Sequence, residues 1–236
     1  MALPKLDTPT YTLDLPSTGE KIKYRPFLVK EQKILMMAEE SEDDKQMMDA
    51  IGKLVQSCTF DKIDVENAPL FDIEYIFLKL RSKSVGETVN LQITCPDDEK
   101  TVVPVKVKLD DIEVQMTDNH TNKIYITDSI TLYMGYPKLS DLKNYDSDDS
   151  VQIQQMFNIL NQCVKEIHYG DDIYHKIDIT DKDLSQFIEQ MTTGQFEKVM
   201  EFFNGMPKLR HVIKVTNPNT KKKNEVVVEG LQSFLG

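Results

Sequence analysis

The stretch PLFDIEYIFLKL, Pro69 to Leu80, followed after Ser84-Val85-Gly86 by ETVNLQIT, Glu87 to Thr94, decides the fold class. Its first part is apolar almost all round, the mark of a helix buried on most faces, and Pro69 suits a first helical turn because its missing N–H has no partner to lose there. After Gly86 the apolar period switches from 3.6 to 2, so the chain turns from helix to strand. Thr88 to Thr94, a turn at Cys95-Pro96-Asp97-Asp98-Glu99-Lys100 and Val102 to Leu109 read as a β-hairpin. A buried helix beside hairpins within one chain points to an α+β fold.

Upstream of this stretch, Tyr11 to Leu15 and Lys21 to Tyr24 alternate around Pro16-Ser17-Thr18-Gly19-Glu20, an N-terminal β-hairpin that Arg25-Pro26-Phe27 ends. Val29 to Cys58 has helical spacing interrupted at Ser41-Glu42-Asp43-Asp44, which gives two helices and a solvated acidic joint. Downstream, Ile112 to Met116, Lys123 to Ile126 and Ile130 to Met134 continue the β-rich segment. Pro137 to Tyr145 reads as a short helix, Asp146 to Ser150 as a polar cap, and Val151 to Ile167 as a longer helix. Ile167 to His175 carries a Gly170-Asp171 turn and reads as a small hairpin or loop. Thr180 and Thr192 open two C-terminal helices with capping-box spacing. Phe187, Phe196, Phe202 and Phe203 form the apolar face of that pair and are expected to pack on the core. His211 to Thr216 and Glu225 to Val228 close the chain as a hairpin with an apolar tail. The sequence thus predicts one compact unit, 1–236, divided into a hairpin (1–28), helices (29–85), strands (86–136), a mostly helical part (137–206) and a hairpin with tail (207–236).

At an offset of 122, Thr94-Cys95-Pro96-Asp97-Asp98-Glu99-Lys100 lies on Thr216-Asn217-Pro218-Asn219-Thr220-Lys221-Lys222. A strand, a C-P-x-C-type turn and a returning strand is the plan of a zinc ribbon, in which two such turns complete one tetrahedral site. Here the four ligand positions hold Cys95, Asp98, Asn217 and Thr220. One thiolate, one carboxylate and two neutral oxygens make no ordinary structural zinc site, so the pair reads as a degenerate zinc-ribbon-like hairpin pair or as two similar Pro-bearing turns. No bound metal and no cofactor are expected. If the turns derive from one ribbon, they should lie side by side, with Cys95 near Asn217 or Thr220, held by strand pairing and packing.

Composition excludes several functions. The net charge is -11, from 28 basic and 39 acidic side chains, so the molecular field repels nucleic-acid backbones and anionic lipid surfaces. The run Lys221-Lys222-Lys223 has no interleaved aromatic residue to stack on bases and reads as a solvated turn. No apolar run approaches a membrane span, and the start MALPKLDTPT lacks the pattern of an export signal. Three widely spaced cysteines, Cys58, Cys95 and Cys163, fit a reducing compartment and not a disulfide framework. Phosphate-binding glycine loops, nucleophile elbows and zinc-protease motifs are missing from the sequence, so no catalytic residue is assigned. The weak enzyme alternative is a metal-dependent hydrolase using His168, Asp171, Asp172 and His175, a loop whose spacing follows no ligand pattern. His120 and His211 have no evident partner, and His120 is expected to be solvated.

Several stretches, in order over nearly the whole chain, carry a further indication: Leu3 to Tyr11, Pro16 to Glu31, Pro69 to Arg81, Thr94 to Asp98, Met206 to His211 and Gly230 to Phe234. Together the chain resembles the baseplate hub protein family of T4-like tailed phages. The resemblance implies a late, non-enzymatic structural or morphogenetic protein of the contractile-tail baseplate hub. It would be made in the host cytoplasm and incorporated in the virion tail, with other hub proteins as partners and with no nucleic acid, membrane or small-molecule substrate. A transient hub assembly chaperone that leaves the finished particle is the alternative. The apolar tail, with Leu231, Phe234 and Leu235, is the expected partner contact.

Overall fold

The computed structural model describes residues 6–142 and 152–234, and the fold is α+β. Where the sequence suggests one unit, backbone contacts gather into two: Met1–Gln115 with Lys208–Gly236, and Met116–Pro207. In chain order the first unit opens with β1 (Tyr11–Asp14) and β2 (Lys21–Tyr24) and passes through α1 (Val29–Glu40), α2 (Asp44–Cys58) and α3 (Leu70–Ser84). It continues as β3 (Thr88–Thr94), β4 (Val102–Lys108) and β5 (Glu113–Gln115). The second unit holds β6 (Lys123–Tyr125), β7 (Ile130–Met134), α4 (Leu139–Leu142), α5 (Gln152–Cys163), β8 (Val164–Tyr169), β9 (Asp172–His175), α6 (Asp181–Glu189) and α7 (Thr193–Gly205). The chain then returns to the first unit as β10 (Lys208–Thr216), β11 (Lys223–Glu229) and a 3-10 turn at Leu231–Phe234.

In the first unit α3 is the central element, as its all-round apolar pattern requires: Ile73, Ile76, Leu78 and Leu80 are essentially inaccessible. β1–β2 and β3–β4 form separate antiparallel pairs, and β11-β10-β5 a three-stranded sheet. The joint between α1 and α2 is a helix cap. Asp43 accepts from the backbone N–H of Lys45 (2.9 Å) and Gln46 (3.4 Å), which satisfies two donors at the start of α2. The tail is covered by its own chain: Leu231 and Phe234 are buried, Arg81 Nη1 donates to the Phe234 carbonyl (2.7 Å), and Leu231 N–H donates to Glu74 Oε1 (3.4 Å). Burial pushes the Glu74 carboxyl up to about 7. A partner contact through Leu231 and Phe234 would require this segment to leave α3; Leu235 lies outside the described residues.

In the second unit a four-stranded antiparallel sheet, β6-β7-β8-β9, packs one face on α5, α6 and α7 through Leu132, Ile167, Leu160, Leu184 and Val199. Thr180 and Thr192 cap α6 and α7 as the sequence predicts; Thr192 and Gln195 complete a reciprocal capping box. Phe202 is core, with Phe187, Phe196 and Phe203 partly buried against it. Two expectations change. The helix predicted through Ile167 ends at Cys163, because Val164–Tyr169 finds a strand on either side, β7 and β9, and the two ladders outweigh a helical spacing that Val164 also satisfies. His120 is half-buried: its Nε2 lies 3.1 Å from Tyr136 Oη, its ring packs on Phe202 (5.0 Å between centroids), and burial lowers its pKa. The predicted helix at Pro137 to Tyr145 is seen as α4; its last residues and the cap Asp146 to Ser150 lie outside the described residues.

Candidate functional site

The two related turns lie side by side within the first unit, joined by a side chain that the ligand-position argument passed over. Asp97 Oδ1 accepts from Asn217 Nδ2 and Asn224 Nδ2, both at 2.9 Å, and its Oδ2 accepts from Thr220 Oγ1. Asn219 Nδ2 donates to Thr101 Oγ1 at 2.9 Å. Donation by Thr220 and Asn217 holds the Asp97 carboxyl below the usual carboxylate range. Asp98 is turned inward on its own loop, accepting from the N–H of Lys100 (3.1 Å) and Thr101 (3.0 Å) and from Thr101 Oγ1 (2.5 Å). These bonds, led by that from the Thr101 hydroxyl, hold its carboxyl far below the ordinary range. The Cys95 thiol is fully covered, and burial, with Asp97 and Asp98 beside it, raises its pKa. Strand pairing plays no part in the juxtaposition, because β3–β4 and β10–β11 belong to different sheets. The Asp97 carboxylate is the main tie between the turns, with the Asn219–Thr101 bond beside it, and the N–H and O–H groups around Asp97 converge where a cation would have to sit. This donor set does not suit a metal.

The turn conformation is itself shared more widely. In both turns the residue four after the first donates back to it, Glu99 to Cys95 and Lys221 to Asn217, each at 2.9 Å, and each donor residue is left-handed, with φ 54° and 62°. The first hairpin repeats this at Leu15-Pro16-Ser17-Thr18-Gly19: Gly19 N–H donates to the Leu15 carbonyl at 2.8 Å with φ 70°. Its Ser17 is fastened as Asp97 is, through its N–H (3.1 Å) and hydroxyl to the buried Asp72 of α3. Proline second and a left-handed residue fifth is a good local solution for a hairpin of this length, so it recurs at all three of these turns. Asn217→Ala removes the buried amide that donates to Asp97 and accepts from the N–H of Asn219 and Thr220. We expect a loss of about 2 to 4 kcal/mol in urea unfolding.

The hydrolase alternative groups His168 and His175 with Asp171 and Asp172. The β8–β9 hairpin instead brings both imidazoles to Glu166, with His168 Nε2 at 2.8 Å and His175 Nδ1 at 3.2 Å from its two oxygens. Asp171 and Asp172 sit exposed at the hairpin tip. Hydrogen bonding from His168, with His175 nearby, lowers the Glu166 pKa. Among the described residues no group of three or more His, Cys, Asp and Glu side chains is arranged to hold a metal ion. The Glu166 contact was legible in principle: residues i and i+2 of a strand share a face, and Glu166 is the cross-strand partner of His175.

Compared with protein families, residues 8–236 match the model described as T4 bacteriophage base plate protein. The chain belongs to this baseplate family. Neither the curated proteins nor the solved structures give a match. A baseplate protein works in contact with its neighbours in the phage tail, so exposed apolar groups are the relevant chemistry. Among the exposed apolar side chains, four of the first unit gather on α1, at Val29, Ile34, Met36 and Met37, and four of the second lie in or beside β9, at Tyr169, Ile173, Tyr174 and Ile177. Helical spacing over Val29 to Cys58 did not say which side of α1 is exposed, whereas the apolar pairs about the Gly170-Asp171 turn already read as a small hairpin or loop. Among the described residues no helix is long and apolar enough to cross a membrane.

Proposed function

We propose that this baseplate protein is a non-enzymatic structural subunit of the tail hub, acting through protein–protein contacts with other hub proteins. The family match over nearly the full chain carries the reading. The net charge of -11 and the absence of catalytic motifs from the sequence support it. All three cysteines are free and buried, which suits assembly in the reducing host cytoplasm before incorporation in the virion tail. Quantitative mass spectrometry of purified virions tests the proposal. A subunit is found at a fixed, whole-number ratio to the other baseplate proteins. A chain needed for plaque formation but missing from purified particles would instead be an assembly chaperone.

A further inference from the structure

We propose that the outer edge of β9 is a docking site for an extended segment of another protein, one that carries an aromatic or branched aliphatic side chain flanked by basic residues. This deepens the contact role above and rests on it for the source of the partner.

The backbone sets the shape of the occupant. β9 is the last strand of its sheet, and all four of its residues are exposed. Gly170 and Asp171 form a two-residue turn closed by the pair Tyr169 and Asp172, and in such a hairpin the closing pair exchanges its hydrogen bonds. Alternation then makes Ile167 and Tyr174 the next bonded pair. On the other side of β8, Gly170 N–H donates to the Ser129 carbonyl (3.2 Å), which fixes the same parity, because residues 168 and 170 face β7 while 167 and 169 face β9. The His175 carbonyl caps the 3-10 turn at Lys176–Asp178, while the N–H and C=O of Ile173 and the N–H of His175 are directed away from β8. These are the groups that an added strand pairs with. Edges in stable monomers are usually blunted by lysine, proline or a bulge, but here the two outward-bonding positions hold isoleucine and histidine.

Side chains set the chemistry. Tyr174, Tyr169, Ile167 and Ile130 on one face of the sheet, with Ile179 and Phe187 opposite, line an open cavity of about 300 Å³. A strand laid beside β9 presents alternate side chains to the face from which Tyr174 projects, so one of them can enter this cavity. Asp183 also lines it, and Asp171 and Asp172 at the hairpin tip and Asp178 in the 3-10 turn after β9 are exposed on the segments next to its lining residues Tyr169, Tyr174 and Ile179. Lys176 is engaged by Asp181 at 2.5 Å, so the rim is acidic and favours Lys or Arg on the incoming segment. A second copy of this chain would set the same carboxylates against themselves.

The test uses the full chain and a synthetic octapeptide, KTVTFTVK, blocked at both ends. Binding is expected with a Kd below about 1 mM, weakening with salt, together with at least tenfold slower amide exchange at Ile173 and His175. Replacing the terminal lysines by glutamate, or the chain's Asp172→Lys with Asp183→Asn, should weaken binding at least tenfold while the variant keeps its melting temperature. The proposal is overturned if the peptide does not bind, if it binds with β9 exchange unchanged, if the charge changes have no effect, or if the free chain protects β9 by dimerising. Absence of the chain from virions would refute the subunit reading and leave peptide binding untouched.

Discussion

Arg25→Ala is expected to lower the unfolding free energy by about 3 to 5 kcal/mol, because it leaves the buried Glu31 carboxylate of the first unit with the exposed Lys30 Nζ, at 3.3 Å, as its remaining cation. Glu31 is almost fully buried, and Arg25 Nη2 donates to its Oε1 at 2.9 Å and to Ser57 Oγ at 3.0 Å. Glu31 also accepts from Ser57 Oγ (3.2 Å) and from the Leu28 N–H (2.8 Å) at the start of α1. Arg25 N–H donates to the Cys58 carbonyl at 3.0 Å, so one ion pair joins the end of β2, the start of α1 and the end of α2. Burial opposes ionisation of Glu31, but the hydrogen bonds from Arg25 and Leu28 outweigh it and bring its pKa from 4.5 to about 2. A carboxyl with a depressed folded-state pKa stabilises fully above its unfolded value and loses that contribution as pH falls through the folded one. The gap between wild type and Arg25→Ala in urea unfolding should therefore be widest above pH 4.5 and shrink toward pH 2. A gap independent of pH would mean that Arg25 acts through packing alone.

Phe202→Ala should cost about as much, 3 to 5 kcal/mol, in the second unit. The Phe202 ring is buried, lies nearly parallel to Tyr136 at 5.7 Å, meets Phe203 edge-on at 5.2 Å and covers His120. Its removal leaves a cavity between the start of this unit and α7. Phe196, partly buried and stacked on Phe157 at 5.5 Å, should cost clearly less when truncated. Amide exchange in α7 against urea concentration reads both losses in the unit concerned. Equal effects would place the two rings in equivalent surroundings, contrary to the packing described.

These two residues show what a sequence discloses. Periodicity placed Phe202 on the face that is buried, because helical spacing reports which side of a helix meets the core. It did not disclose Arg25 with Glu31, whose pairing depends on three elements meeting. The end of the Val151 to Ile167 pattern, from Val164 on, served a helix and a strand equally, and the outcome there rested on the ladder partners β7 and β9. The offset of 122 correctly paired the turns at Cys95 and Asn217, since turn conformation is locally encoded by proline and the residue three later. The fastening atom was missed because Asp97 stands between the ligand positions, and the search was for metal donors. The matching turn at Pro16 was equally visible, but it has no cysteine to draw attention to it.

The pairing of Gln115 with Lys208 across β5 and β10 makes residues 116–207 an insertion that leaves and re-enters the first unit at adjacent points of one ladder. During synthesis the second unit emerges whole while the first still waits for β10 and β11. The polypeptide therefore finishes its inner module before its outer one, against the order in which the outer one began. Folding of the insertion also brings the two distant halves of that ladder within reach, removing most of the loop-closure entropy that a flexible connection of this length would impose. The same geometry allows excision: a short turn from Gln115 to Lys208 should leave a hairpin in place of the insertion and let the outer module fold alone.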